Sequence, residues 1–173
     1  MLRVLVLIAA GLAATPAVHA QQAPAPQSAG VEEVGIWHIS PSAKDCVAIT
    51  GDTRSMLIAL IYSAPDKHRD AALMITSKTY FTDAKDGAAY PVRLVLAQGD
   101  KFDNRWGEVK ATGMVLKDGE YGIRIAAPAA DFTDSLGQSD GLILEGIGRG
   151  SLRLDLQDMH LMVAALRRCA LSK

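Results

Sequence analysis

Two cysteines carry the most definite chemistry in the chain, and they lie far apart. Cys46 occurs in the segment KDCVAIT, and Cys169 occurs near the other end in MVAALRRCALSK. A metal site needs three or four ligands, and neither cysteine has a CxxC partner or a nearby histidine. No neighbouring group would activate either thiol. We therefore predict a disulfide between Cys46 and Cys169, with free buried thiols as the alternative.

Three arginines each stand between apolar neighbours in segments that alternate like strands. They are Arg93 in VRL, Arg124 in IRI and Arg153 in LRL. Alternation places each guanidinium on the face opposite the apolar side chains. If the three strands were adjacent, the guanidiniums would form a row suited to a carboxylate or a phosphate, which is a possible anion-binding site. The alternative is a solvated face on which acids such as Glu108 and Asp155 neutralise the arginines.

Other motifs lack the spacing that catalysis or metal binding requires. His38, His68 and His160 form no HxH or HExxH pair, so no metal site is predicted. His160 lies beside Asp155 and Asp158, and this cluster could hold a proton or a cation, although helix capping and surface charge explain it as well. No GxSxG elbow occurs and no carboxylate pair stands out. The sequence therefore names no catalytic residue and no cofactor.

The glycine-rich stretch 146–151 (GIGRGS) raises the question of a phosphate loop. A phosphate loop delivers its anion to the N-terminus of a following helix, whereas the LRLDL that follows Ser151 alternates like a strand. The spacing also matches neither GxGxxG nor the Walker pattern. We predict a hairpin loop here.

The first residues predict export. Arg3 gives a positive start, an apolar run follows from Val4 to Ala14, and Val18-His19-Ala20 supplies the small residues that signal peptidase reads. The run is shorter than the ~20 residues that cross a bilayer. We predict cleavage after Ala20, which makes the protein periplasmic or secreted. The predicted organisation is a signal peptide at 1–20, a flexible linker at 21–30 (QQAPAPQSAG) and a single β-rich domain at 31–173.

Charge and hydropathy restrict the possible partners. The whole chain has a formal charge of −1, and removal of residues 1–20, which contain Arg3 and no acid, makes it −2. Nucleic-acid binding needs a concentrated basic face, so we predict no nucleic-acid partner. No second apolar stretch approaches membrane-spanning length, so we predict no transmembrane segment in the mature protein.

Short apolar segments that alternate with turns predict an antiparallel sheet. The run 55–63 (SMLIALIYS) is apolar on both faces, as in a central strand. The segment 117–120 (KDGE) lies between apolar runs and predicts a hairpin, while a loop is expected around Asp103-Asn104. The other predicted strands are 34–39, 46–50, 73–76, 91–96, 106–116, 121–126, 142–145 and 151–157.

Two segments predict helices. In 129–136, Phe132 and Leu136 share one face, and Gly137 follows as a stop. Asp158 is expected to cap a second helix. Its apolar face consists of Met162, Ala165, Leu166 and Cys169. The predicted fold class is α+β: mainly an antiparallel β-sheet or sandwich with two short helices in the C-terminal third.

On these residues the chain resembles small exported bacterial domains of unknown function, and it has a fainter similarity to the invasion-associated locus B proteins, which are exported and β-rich. The pattern begins with Trp37 and Cys46, continues through a β-rich middle and a helical turn with Phe132, and ends in L-x-L-x-L (152–156) and A-L-x-x-C (165–169). It covers most of the mature chain. The resemblance implies export and a β-rich fold, and it carries over no catalytic residue.

We expect a non-catalytic binding or inhibitory module of the cell envelope, stapled by one disulfide. Its partner would be an exported protein or an anionic envelope ligand. The alternatives are a small periplasmic hydrolase whose site is assembled only in the fold, and a purely structural surface protein.

Overall fold

A computed structural model describes residues 30–52, 55–63, 70–148 and 150–172. The predicted signal peptide and residues 21–29 of the predicted linker lie outside these ranges. Within them the chain forms ten strands and two helices. In chain order these are β1 (Glu32–Val34), β2 (Trp37–Pro41), β3 (Asp45–Asp52), β4 (Met56–Ser63), β5 (Asp70–Ser77), β6 (Ala89–Gln98), β7 (Lys101–Val115), β8 (Tyr121–Pro128), α1 (Ala129–Gly137), β9 (Gly141–Glu145), β10 (Leu152–Asp155) and α2 (Met159–Leu171).

All ten strands belong to one antiparallel sheet with the order β1-β2-β3-β4-β5-β8-β7-β6-β9-β10. The first five strands pair in the order of the sequence. The strand β5 then pairs with β8, and β8, β7 and β6 follow in reverse order. The hairpin of β9 and β10 adds to the free side of β6. The predicted α+β class, with both helices in the C-terminal third, is confirmed.

The sheet has an inner face that forms the core and an outer face that does not. In the central strands β3 and β4, Cys46, Ala48 and Leu60 point inward and are buried. The two helices pack on the inner face: Met162 and Leu166 of α2 belong to the same hydrophobic core as these strand residues. Strand alternation therefore directs every second side chain of β3, β4, β5 and β8 to the outer face.

The two ends of the sheet lie close to each other. The Trp37 indole N–H in β2 donates a hydrogen bond to the Gln157 carbonyl oxygen, just after β10, at 2.9 Å. Gly35 has a positive φ of 57°, and a side chain there would overlap the Asp158 carboxylate. The chain after β10 thus returns to the first hairpin, and α2 lies across β1 to β4.

Local signals predicted most elements, with three corrections. The segment 34–39 is not one strand, because Gly35 and Ile36 form the turn of the β1–β2 hairpin. Asp103 and Asn104 lie inside β7, where the pairing with β6 shifts between Leu94 and Leu96. Asp158 precedes α2 but makes no side-chain cap hydrogen bond, because its backbone is left-handed (φ 58°) and its carboxylate packs at Gly35. The Lys117–Glu120 hairpin and the β9–β10 hairpin loop are confirmed.

Candidate binding surfaces

The predicted disulfide is present. The sulfur atoms of Cys46 in β3 and Cys169 in α2 are bonded, and their Cα atoms are 6.1 Å apart. Cys46 is fully buried, whereas Cys169 is partly buried. The bond ties the last turn of α2 to the inner face of the sheet, and no cysteine in the described ranges is free. The role of the pair is therefore structural.

The three arginines lie on the outer face, but their strands are not neighbours. Arg124 is in β8, Arg93 in β6 and Arg153 in β10. The sheet order places β7 between the first two strands and β9 between the last two. The adjacency that a row of guanidiniums requires is therefore not met. Binding of an anion by these residues stays a prediction.

Two of the arginines already contact acids. Arg93 lies opposite Glu108 and Glu145 in the register, and its guanidinium contacts the Glu145 carboxylate at 3.5 Å. The Arg153 guanidinium contacts the Asp155 carboxylate at 3.4 Å. These contacts agree with the alternative interpretation of the sequence, in which the arginines lie on a solvated face and acids pair with them. The side chains involved are largely exposed, so each pair contributes little to stability.

Arg124 has different surroundings. Its neighbours across the sheet are Met74 in β5 and Thr112 in β7. Within the described part of the chain, no acid forms an ion pair with its guanidinium. Arg124 is thus a cation beside Met74 that has no described carboxylate within ion-pair distance.

Beside Arg124 lies an apolar surface that we call the outer apolar face. It consists of Val47, Ile49, Leu57, Ile61 and Met74. Cross-strand pairs make it continuous, because Ile49 is opposite Ala59 and Ala59 is opposite Met74. Small residues between the large ones are almost fully covered, with Ala72 at 2% and Thr76 at 3% exposure.

The outer apolar face is broad and partly open to solvent. Strands about 4.8 Å apart and same-face side chains about 6.8 Å apart give its three strands a footprint on the order of 300 Å². Leu57 is 44% exposed. Both described helices pack on the opposite face of the sheet. Contiguous apolar patches of this size on a monomer frequently mark interaction sites.

The residues that the sequence grouped around His160 lie at the start of α2 and just before it. His160 is exposed in the first turn of α2, and the Asp155 carboxylate contacts Arg153. Across the described ranges, no three His, Cys, Asp or Glu side chains are grouped so that they could hold a metal ion. His38 pairs with the Glu33 carboxylate at 3.6 Å, and His68 lies outside the described residues. Neither described helix has the length and hydropathy needed to cross a bilayer.

A cleft of about 460 Å³ lies between β7 and α1, and the sequence patterns did not indicate it. Four polar side chains of α1 and its C-cap share one face because they are spaced i, i+3, i+4 and i+7. These are Asp131, Asp134, Ser135 and Gln138, and β7 contributes Arg105 and Trp106. A smaller hollow of about 150 Å³ continues toward Lys101 and Phe102 and shares Arg105, Ser135 and Gln138. We call the two together the β7–α1 cleft.

Ion pairs fix the walls of the β7–α1 cleft. The Arg105 guanidinium contacts the Asp103 carboxylate at 2.6 Å. The hydrogen bond from this guanidinium, followed by one from the Arg105 backbone N–H, lowers the pKa of Asp103 below its ordinary value of 3.8. On the other wall the Arg167 guanidinium contacts Asp134 at 2.5 Å, and this hydrogen bond raises the pKa of Arg167. Both ion pairs are therefore formed at neutral pH.

An aromatic pair forms the floor of the cleft. The rings of Trp106 and Phe132 meet edge to face, with centroids 5.0 Å apart and an interplanar angle of 78°. Phe132 is fully buried in the core, so it fixes the position of the Trp106 ring. The sequence signals for this site are limited to an aromatic residue in a predicted strand and a predicted amphipathic helix that follows later in the chain.

A second cavity of about 590 Å³ lies between the first hairpin and the end of α2. Ile39, Pro41 and the disulfide residue Cys169 line its interior. The Arg168 guanidinium and the Glu32 carboxylate pair at 2.6 Å beside it. Its lining is mainly apolar, and the guanidinium at its edge is already paired.

No family model, no curated protein and no solved structure matches the chain.

Proposed function

We propose that this chain is an exported, non-catalytic binding module that docks another exported protein through its outer apolar face. One observation carries the proposal. Large apolar side chains of β3, β4 and β5 form a continuous surface on the side of the sheet opposite both described helices. Their burial in an interface would remove apolar area from water, which is the main driving force of protein association.

The charge of Arg124 defines the chemistry of the partner. A guanidinium that enters an apolar interface is costly unless a carboxylate pairs with it. Because no described acid of the chain pairs with Arg124, the partner would supply that carboxylate. The partner surface is therefore apolar with one carboxylate at the edge that meets Arg124, and a planar guanidinium suits bidentate contact with a carboxylate.

Export is the second part of the proposal. The disulfide between Cys46 and Cys169 supports it, because such bonds persist in oxidising compartments and are rare in the cytosol. The sequence at 1–20 supports it independently. Mass spectrometry of the protein recovered from the envelope or medium tests it: the account predicts a chain that begins at Gln21. Recovery of an intact chain in the cytosol would overturn this part.

Affinity capture with matched variants tests the docking surface. The bait is the mature chain, exposed to an envelope extract, and three variants run beside it. Leu57→Lys and Arg124→Glu change the proposed interface. Leu161→Lys is the control, because Leu161 is 47% exposed, close to the 44% of Leu57, but lies on α2.

The proposal predicts that one partner is captured by the unchanged chain and by Leu161→Lys. Both interface variants should lose at least about tenfold in recovery, since a buried unpaired or reversed charge costs more than about 1.4 kcal/mol. Equal capture by all baits would overturn the proposal. Capture of only a second copy of the chain would also overturn it and would assign the face to self-association.

A further inference from the structure

We infer that the β7–α1 cleft binds an uncharged, hydroxyl-rich ligand of the oligosaccharide class. This inference is independent of the proposed function, because the cleft and the outer apolar face involve different residues. Its volume of about 460 Å³ lies within the usual range for small-ligand sites. The charges, the aromatic floor and the remaining polar groups of the cleft all favour such a ligand.

The charges of the cleft are balanced, which disfavours an ionic ligand. Its acids are Asp103, Asp131 and Asp134, and the neighbouring cations are Lys101, Arg105 and Arg167. Asp103 and Asp134 are each in a direct ion pair. The pKa of Arg105 is raised mainly by its hydrogen bond to Asp103, and the negative charge of Asp131 raises it slightly further. A charged ligand would therefore find most of the charges of the cleft already paired. A neutral ligand would leave all of them in place.

The remaining groups suit a ligand with both apolar and hydroxyl surfaces. A pyranose presents C–H groups on its ring face and hydroxyls around its rim. The partly buried Trp106 ring offers a flat apolar surface, held in place by Phe132. The Gln138 amide can both donate and accept hydrogen bonds, and the Asp131 carboxylate can accept them from hydroxyls. Asp131 and Gln138 both lie on the side of α1 and its C-cap that lines the cleft.

Trp106, which lines the cleft, also carries a buried donor of a kind that is unusual in native proteins. Its indole nitrogen is buried and finds no hydrogen-bond acceptor in the described part of the chain. Native proteins seldom leave a buried donor unsatisfied, and such exceptions call for an explanation.

Intrinsic fluorescence of the mature chain provides the test. Its tryptophans are Trp37 and Trp106, and Trp37 is 1% exposed and hydrogen-bonded to Gln157, so Trp106 reports on the cleft. The probes are neutral tetrasaccharides (maltotetraose, cellotetraose and the N-acetylglucosamine tetramer) at up to about 10 mM. Tetragalacturonate and the glucosamine tetramer serve as the anionic and cationic counterparts. Saturation-transfer NMR of the sugars gives a second readout that does not depend on tryptophan.

We expect saturable binding of at least one neutral probe, at least about tenfold tighter than that of the charged probes. Gln138→Ala should weaken binding about fivefold to tenfold through the lost hydrogen bond, while the fold is retained because Gln138 is exposed. Gln157→Ala, an exposed amide outside the cleft, should bind as the unchanged chain does. Trp106→Phe should abolish the fluorescence change and weaken the NMR response.

Three results would overturn the inference. These are no binding of any neutral probe, equal binding of neutral and charged probes, and equal binding by Gln138→Ala and Gln157→Ala. None of them bears on the outer apolar face, so the two proposals fail separately.

Discussion

Single glycines set the close packing at the β9–β10 turn. Gly148 has a φ of 79°, and a side chain there would overlap the Tyr80 ring and lie 3.0 Å from the Tyr80 carbonyl oxygen. The Tyr80 hydroxyl in turn donates a hydrogen bond to the Gly150 carbonyl oxygen at 2.8 Å. Gly119 has a similar φ of 71°, but a methyl group added there would meet no described atom within 4 Å. A comparison of substitutions at Gly148 and Gly119 therefore separates the cost of backbone strain from the cost of steric overlap.

At this scale we predict that Gly148→Ala destabilises the fold more than Gly119→Ala. The strained φ alone should cost about 1–2 kcal/mol at either position. Overpacking against Tyr80 should add about 1–3 kcal/mol at Gly148 only. Urea unfolding followed by circular dichroism measures both variants. Equal losses of stability would contradict the packing described for Tyr80.

At the scale of elements, local signals were readable from the sequence and long-range pairing was not. The Asp118-Gly119 hairpin and the apolar stripe of α2 depend on residues a few positions apart, so their patterns sufficed. The pairing of β5 with β8 and of β6 with β9 joins distant segments, and no local rule specifies it. The prediction of a row of arginines depended on strand order, and the sheet order separates the three strands. The β7–α1 cleft was missed because a bulged strand and a distant helix create it together.

The disulfide anchors α2 to the sheet, so loss of the bond should destabilise α2 before the rest of the fold. A bond that closes a loop across 123 positions stabilises by about 4–5 kcal/mol in the simplest chain-entropy treatment and often by less. We predict that Cys169→Ser lowers the free energy of unfolding by about 2–5 kcal/mol. Hydrogen exchange should accelerate most in α2. Protection of α2 equal to that of the unchanged chain would contradict its dependence on the bond.

The whole molecule places its helices, core and disulfide on one face of the sheet and a broad apolar surface on the other. The inner face buries residues from β2 through β10 together with both helices in one core. The outer face of β3, β4 and β5 has no described element packed upon it, and beside Met74 it carries Arg124, which pairs with no described acid. This two-sided organisation is what connects the fold to a binding role.

Photo-cross-linking in living cells tests the docking proposal most directly. A photoreactive phenylalanine analogue replaces Leu57 on the outer apolar face or Leu161 on α2, two positions of nearly equal exposure. The account predicts a discrete adduct with another exported protein from position 57, lost on addition of Arg124→Glu, and no such adduct from position 161. Adducts of equal yield from both positions, or none from position 57, would contradict it.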